Sequence, residues 1–315
     1  MPAKANPGGL DVLYVGGMPR SGSTLTDLML DLLPGHVAVG ELFYLWRNGL
    51  VHDGLCACGE AFSRCPFWTA VGAKAFGGWD AVDGQHVMRL QSTVDATSRI
   101  PLLLAPGRPA GFQRALDEYT DVLRALYLAI AEVSGARVVV DSSKRPSLAF
   151  VLRHVPGLRL TVAHVVRDPR GVAYSFGKHV ELPTGAALGP QMPRTATWKV
   201  GRRWVTVNAL ISTLSLLGVP SVRVRYEDLV VEPVRELSRI ARVEGLTPSD
   251  INFGFVTDAG LAVPETHVVA GGRIRLGGGT MPLRLDDAWR RDMPRRARRL
   301  VGAITLPSRL QYGYR

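Results

Sequence analysis

Cysteine is scarce in this 315-residue chain: Cys56, Cys58 and Cys65, close together, are all it has. Three thiols make neither a disulfide framework nor a four-cysteine metal site. No apolar run approaches the ~18 residues of a membrane-spanning helix. The first such run, Asp11 to Val15, is cut by Gly16 and Gly17, so no signal peptide is expected and the default location is cytoplasmic. Zinc-finger spacing, an RNP-like aromatic string and heptads are all missing, and no nucleic-acid partner is expected. Lysine is rare as well. Lys4, Lys74, Lys144, Lys178 and Lys199 stand among 38 basic residues, so a single arginine is weak evidence for a site and a well-placed lysine is better evidence.

What is present points to a globular enzyme or binding protein. A hydrophobic fraction of 46 % is ample for a large core, and the length suits one large domain. We read residues 1–315 as a single α/β domain. It carries lid or acceptor-loop insertions around 51–112 and a basic C-terminal segment, 271–315. The net charge of +11 is concentrated in that segment, where eleven arginines face three aspartates. Such a surplus suits an anionic ligand.

One stretch organises the rest. Residues 11–33, DVLYVGGMPRSGSTLTDLMLDLL, open as a strand and pass through Gly17-Met-Pro-Arg-Ser-Gly22. They continue with Leu25, Leu28, Met29, Leu32 and Leu33 at helical spacing. A strand–glycine turn–helix points backbone N–H groups and a positive helix end at one spot, which suits a phosphate. The Gly17 to Gly22 spacing is that of a Walker A turn, but the lysine slot holds Ser23 while Thr24 keeps the Ser/Thr slot. Without that lysine the turn suits a ligand with fewer phosphates than ATP or GTP. Arg20 sets a cation earlier in the turn. The competing reading is the same local structure with no ligand.

Pro34-Gly35 ends that helix, Val37–Val39 forms a short strand, and Glu41 begins a second helix. Glu41 is either a dipole-favoured first-turn carboxylate or a general base beside the phosphate turn. The three cysteines admit three readings: metal ligands with His52 as the nearby fourth, a disulfide with one thiol spare, or buried thiols shaping a loop near the acceptor entrance. The last is the expectation, with no metal assigned. Residues 69–112 are rich in small residues, and Ile100–Pro109 reads as a loop or lid.

Residues 113–134 make an amphipathic helix and 137–140 a buried strand, followed by Asp141-Ser-Ser-Lys144-Arg-Pro146. Open α/β sheets bind ligands at that strand edge, so Lys144 is placed to reach the ligand of Arg20. The strand 158–166 leads to Arg167, to Asp168 capping a helix at Pro169, and to Ser175 two turns along it. Arg167 would hold an anion at that helix start. A long helix over 195–217, a strand at 221–224 and a helix over 232–244 follow, with Tyr226-Glu227-Asp228 after the strand. Arg273 and Arg275 sit in a glycine-rich basic loop, and the arginines of 290–299 read as a solvated helix face.

Together, GMPRSGSTL (17–25), DSSKRP (141–146), VVRDPRGVAYS (165–175), VRYEDL (224–229) and the basic glycine loop (271–279) resemble the sulfotransferases that use 3′-phosphoadenosine 5′-phosphosulfate (PAPS). The motifs stand in family order over nearly the whole chain. The turn PRSGST and the following GE are closest to the bacterial and tyrosylprotein-type branches. The resemblance implies a P-loop-like fold with a central, mainly parallel sheet of four or five strands and helices on both faces. It also implies a PAPS-dependent enzyme that needs no metal and takes a small-molecule, glycan or peptide hydroxyl as acceptor.

By the same resemblance, Arg20, Ser21, Gly22, Ser23 and Thr24 hold the 5′-phosphosulfate, Arg167 and Ser175 the 3′-phosphate, and Tyr226 lies near the nucleotide. Arg273 and Arg275 add phosphate contacts, although the family's Gly-Asn-Pro-x-Arg is Gly271-Gly-Arg-Ile-Arg275 here. Glu41, matching the Gly-Glu of the tyrosylprotein branch, is the base, Lys144 and Arg20 are the catalytic cations, and His36 is the rival base. A carboxylate flanked by cations acts as a positioned proton acceptor. Two other functions compete: a small-molecule P-loop kinase and a non-catalytic basic module.

Overall fold

The structure, a computed structural model, describes residues 9–178, 195–263, 265–269 and 279–315. Five strands form its central sheet: β1 (Leu10–Gly16), β2 (His36–Ala38), β3 (Val138–Lys144), β4 (Leu158–Val166) and β5 (Ser221–Arg225). All neighbours pair in parallel, in the order β2-β3-β1-β4-β5. The turn after β1 therefore lies between the ends of β3 and β4, the two strands that deliver Lys144 and Arg167. Parallel strands need crossovers, which the helices supply. The parallel α/β sheet expected from the sequence is what the chain forms.

The helices are α1 (Ser23–Asp31), α2 (Pro66–Phe76), α3 (Gly84–Val94), α4 (Ile100–Leu104), α5 (Ala110–Ser134) and α6 (Pro146–Leu152). Then come α7 (Pro169–Gly177), α8 (Thr197–Leu216), α9 (Tyr226–Val231), α10 (Pro233–Val243), α11 (Trp289–Asp292), α12 (Arg295–Ile304) and α13 (Leu306–Gln311). One face of the sheet, through Val12, Tyr14 and Val139, packs on α5, α6 and the α2–α4 region. The other, through Leu13, Val15 and Val140, packs on α1 and α10. A third core joins α7, α8, α11 and α12 through Trp204, Trp289 and Tyr314. Alternation along β1 is thus apolar on both sides, as a strand covered twice requires. A small antiparallel sheet, β6 (Val256–Thr257), β7 (Gly260–Val263) and β8 (Gly279–Met281), is not hydrogen-bonded to the central one but packs Leu261 and Val263 into the second core.

Three local expectations are corrected. Ile100–Pro109 is no open loop, since α4 buries Ile100 and Leu103. Glu41 starts no α-helix: it precedes a 3₁₀ turn, Leu42–Tyr44, and a π-type turn, Leu45–Val51. The Tyr44 amide closes on the Glu41 carbonyl at 2.9 Å, a 3₁₀ bond, and the Phe43 amide donates to Ser143 Oγ at 3.0 Å, so contact with β3 anchors this turn. Finally, β3 does not stop at Val140 but runs through Asp141-Ser-Ser-Lys144, whose polar atoms find partners inside the fold. Among the described residues, no helix is long and apolar enough to cross a membrane.

Candidate active site

The turn between β1 and α1 holds the first group of expected residues. Gly17 has φ 145°, and a Cβ there would stand 2.2 Å from the Val165 carbonyl oxygen, so only glycine fits against β4. Gly22, at φ 93°, caps α1, and a Cβ there would meet the Tyr226 ring at 2.4 Å. The absence of a side chain at residue 22 thus seats Tyr226 against the turn. No side chain caps α1, which leaves its first N–H groups without an intrahelical acceptor. Ser21 is buried, and its Oγ has no hydrogen-bond partner. Ser23 and Thr24 are the first two residues of α1.

Glu41 and Lys144 meet. The Lys144 Nζ lies 2.6 Å from Glu41 Oε1, with the two side chains 10 % and 15 % exposed. Their meeting rests on a continuation of the β2–β3 pairing beyond the strand. Val39 N donates to the Val140 carbonyl (3.1 Å) and Ser142 N to the Gly40 carbonyl (2.8 Å). Then Phe43 N donates to Ser143 Oγ. Ser143 is itself held by Asp141, whose Oδ1 accepts from Ser143 N (2.8 Å) and Ser143 Oγ (2.5 Å), while Oδ2 accepts from Tyr127 OH (2.5 Å). Complete burial pushes the Asp141 carboxyl up to about 6, against the pull of these donors. Sequence reading used only Lys144 of this motif. Its missed signal was a run of short polar side chains at the end of an apolar strand.

Arg20 and Lys144 share a backbone peculiarity, at φ 72° and 64°, in the left-handed region that L-residues avoid at a cost on the order of 1 kcal/mol. At Lys144 this coincides with a shift in the β1–β3 register between Tyr14 and Gly16, an irregularity that re-aims the end of a strand. Partial burial holds the Arg20 guanidinium below its ordinary value, opposed by the charge of Glu41. The two cations and the carboxylate therefore form one electrostatic unit.

Beside it opens a cavity of about 350 Å³ lined by Glu41, Tyr44, Lys144, Arg145, Arg203 and Thr206, among others. Arg145 lies over the Phe43 ring at 3.9 Å, and its carbonyl accepts from Tyr14 OH. Neither Arg145 nor Arg203 was singled out from sequence, because nothing local marks which of many arginines face a cavity.

Arg167, 5 % exposed, lies at the far side of the turn. Its Nη1 donates to the Arg20 carbonyl (3.2 Å), and its guanidinium sits 4.4 Å from the centroid of the Tyr226 ring. Its Nη2 reaches both the carbonyl and the carboxylate of Asp286, at 2.6 and 3.1 Å. Burial raises the Asp286 carboxyl, but the bond and charge of Arg167 outweigh it and leave the group below its ordinary value. Asp168 caps α7 as expected, accepting from Arg170 N at 2.8 Å. Ser175 is half-buried on α7, and Arg273 and Arg275 lie outside the described residues.

His36, the rival base, is placed elsewhere. It begins β2, whereas the site gathers beyond the C-terminal strand ends, and its Nε2 lies 3.1 Å from Glu244 Oε2.

Comparison with known proteins bears on this geometry. Residues 13–250 match a family model described as the sulfotransferase family. The chain is similar in fold to the sulfotransferase domain of the Synechococcus PCC 7002 olefin synthase. That match has TM-score 0.53 and 20 % identity, covering 97 % of this chain and 95 % of that one. The sulfotransferase domain from the curacin biosynthetic pathway matches over 99 % of both chains at 17 % identity and TM-score 0.47. A sequence search of curated proteins gives no significant match.

Proposed function

This chain belongs to the sulfotransferase family, and from that premise we propose that it transfers a sulfuryl group from PAPS to an acceptor hydroxyl by in-line displacement. The observation that carries the reading is the Glu41–Lys144 pair, held at 2.6 Å on the wall of a cavity and within the field of Arg20. Glu41 takes the hydroxyl proton as the acceptor oxygen attacks sulfur. The bond from sulfur to the 5′-phosphate oxygen breaks on the opposite side, and Lys144 and Arg20 stabilise the charge that grows on that bridging oxygen. The products are the sulfate ester and 3′,5′-adenosine bisphosphate.

The residues present fit such a donor. The uncapped start of α1 and the unpartnered Ser21 hydroxyl suit the 5′-phosphate end. Arg167 over Tyr226 suits a second phosphate, with Ser175 as an additional hydroxyl on the adjoining helix. Ser23 in place of the Walker lysine removes the group that would neutralise a β/γ-phosphate. Arg145 and Arg203 on the cavity wall favour an acceptor rich in oxygen over a plain hydrocarbon alcohol.

Calorimetric titration with 3′,5′-adenosine bisphosphate, magnesium–ATP and duplex DNA tests the donor. The bisphosphate is expected to bind more than about tenfold tighter than ATP, a gap of ~1.4 kcal/mol. Equal or tighter binding of ATP or DNA would sink the reading in favour of a kinase or a basic binding module.

A further inference from the structure

Outside the lining of the cavity, the fold brings together a cluster that the proposed sulfuryl transfer does not use. Cys56, Cys58, Cys65 and His267 place one ligand atom each within 4.8 Å of every other. The loop that carries the thiols is tightly folded. Cys56 N donates to the Glu60 carbonyl (2.8 Å) and Gly59 N to the Cys56 carbonyl (3.0 Å), while Cys65 N donates to the Ala61 carbonyl (2.9 Å) just before α2. The histidine arrives from some two hundred positions further along the chain.

Contacts independent of the four ligand atoms fix it there. Trp68 Nε1 donates to the His267 carbonyl (2.8 Å), and Ala57 N donates to the Val268 carbonyl (3.1 Å). The imidazole stacks on Phe67, with centroids 5.1 Å apart and planes at 9°.

The distances discriminate between the three readings of these thiols. Cys58 and Cys65 sulfurs are 3.7 Å apart, and Cys56 and Cys65 sulfurs 3.6 Å. A disulfide needs ~2.05 Å. His267 Nδ1 lies 3.3 Å from the Cys65 sulfur and 3.9 Å from that of Cys56. Four donors around a tetrahedral zinc, with Zn–S ~2.3 Å and Zn–N ~2.05 Å, stand ~3.8 Å apart for sulfur pairs and ~3.6 Å apart for sulfur and nitrogen. Simple packing of thiols gives no reason for an imidazole nitrogen to converge on the same point. His52, the fourth ligand suggested by proximity in sequence, is exposed and outside the group.

We propose that Cys56, Cys58, Cys65 and the Nδ1 of His267 form a closed structural zinc site. Three thiols and one imidazole select a borderline-soft divalent ion, and four protein ligands leave no open position for catalysis. On binding, the three thiols give their protons to solvent and the imidazole coordinates in its neutral form. The ion fastens residues 265–269 to the loop before α2. The role requires nothing of the donor or acceptor, and it stands or falls separately from the sulfuryl-transfer reading.

The test is metal analysis of the full chain, purified under reducing conditions. About one zinc per chain is expected, retained through gel filtration. Cobalt exchanged for zinc should give a strong thiolate-to-cobalt charge-transfer band and the visible bands of tetrahedral coordination. Cys58→Ser and His267→Ala should each lower the zinc content, and His52→Ala should not. Should those variants fail to fold, the native chain still decides. Chelation should lower its melting temperature and open all three thiols to alkylation, and added zinc should reverse both. A chain that takes up neither metal, alkylates equally fast with and without zinc, or carries a cysteine disulfide by mass overturns the proposal.

Discussion

At the Glu41–Lys144 end of the site, position is set by backbone pairing: the β2–β3 ladder continues past Ala38 to Gly40 and then to the Phe43–Ser143 bond. At the Arg167 end it is set by the bonds of one side chain, to the Arg20 and Asp286 carbonyls and to the Asp286 carboxylate, which is 38 % exposed. The first arrangement is buried and leaves the two side chains little freedom, as the roles proposed for them require. The second holds a cation ready but already paired, with a carboxylate where an incoming phosphate would compete. One end is preorganised and the other is exchangeable.

The largest effect should come from breaking the preorganised end. Glu41→Gln should cut turnover of PAPS with a phenol as probe acceptor by ~10²–10⁴, the usual worth of general acid–base catalysis, while bisphosphate affinity stays unchanged. Undiminished turnover would remove Glu41 from the base role, and a matching loss of affinity would make it a binding residue.

Next in size is the buried carboxyl behind it. With Asp141 at about 6 when folded and near 3.8 when unfolded, the folded state binds the extra proton between these values. Its contribution to stability is therefore greatest below about pH 4 and declines as the pH rises to about 6, by up to ~3 kcal/mol. Urea unfolding at a series of pH values should show this slope in the native chain on top of those of Asp31 and Asp95, which burial also raises to about 6, and Asp141→Asn should show a shallower one. Parallel pH profiles for the two proteins would show that Asp141 is not the buried acid described.

At the exchangeable end, Arg167→Ala should weaken bisphosphate binding by ~1.5–3 kcal/mol, as for a charge-assisted hydrogen bond. Adenosine 5′-monophosphate, which lacks the 3′-phosphate, should lose much less. Equal losses would deny Arg167 the 3′-phosphate. The smallest change is expected from Asp286→Ala, which should tighten bisphosphate binding several-fold by removing a competitor for Arg167. Weaker binding instead would mean that Asp286 positions Arg167 rather than occupying its place.

Much of this was legible beforehand. The apolar runs of β1 and β4, the glycine turn, the Asp168-Pro169 helix start and the 3.6-residue period of α5 each depend on near neighbours, and each forms where the pattern puts it. The placing of Lys144 at the C-terminal edge of the sheet was legible too, because that edge is where residues at the ends of parallel strands gather, although the strand proved to include it. The support around it was not. Asp141, Ser142 and Ser143 look like turn-forming polar residues, and only the pairing of β1 on one side, Tyr14 with Asp141 and Gly16 with Lys144, and the Gly40 carbonyl on the other make them strand.

The amino-acid sequence by itself determined the elements, their class of sheet and the chemistry of the turn, since periodicity, capping and glycine placement act over a few residues. Tertiary structure alone decided which distant groups meet. The sequence favours Glu41 as base and leaves His36 as its nearest rival, only a few residues away, yet a strand has two ends. β2 begins at His36 and runs parallel to β3, leaving His36 beside Glu244 and carrying the chain on to set Glu41 against Lys144. His267 reaches the cysteine loop, and Asp286 reaches Arg167, by paths that no local pattern encodes. Such contacts arise from where crossovers and packed layers steer the chain, so they become visible only when it is folded.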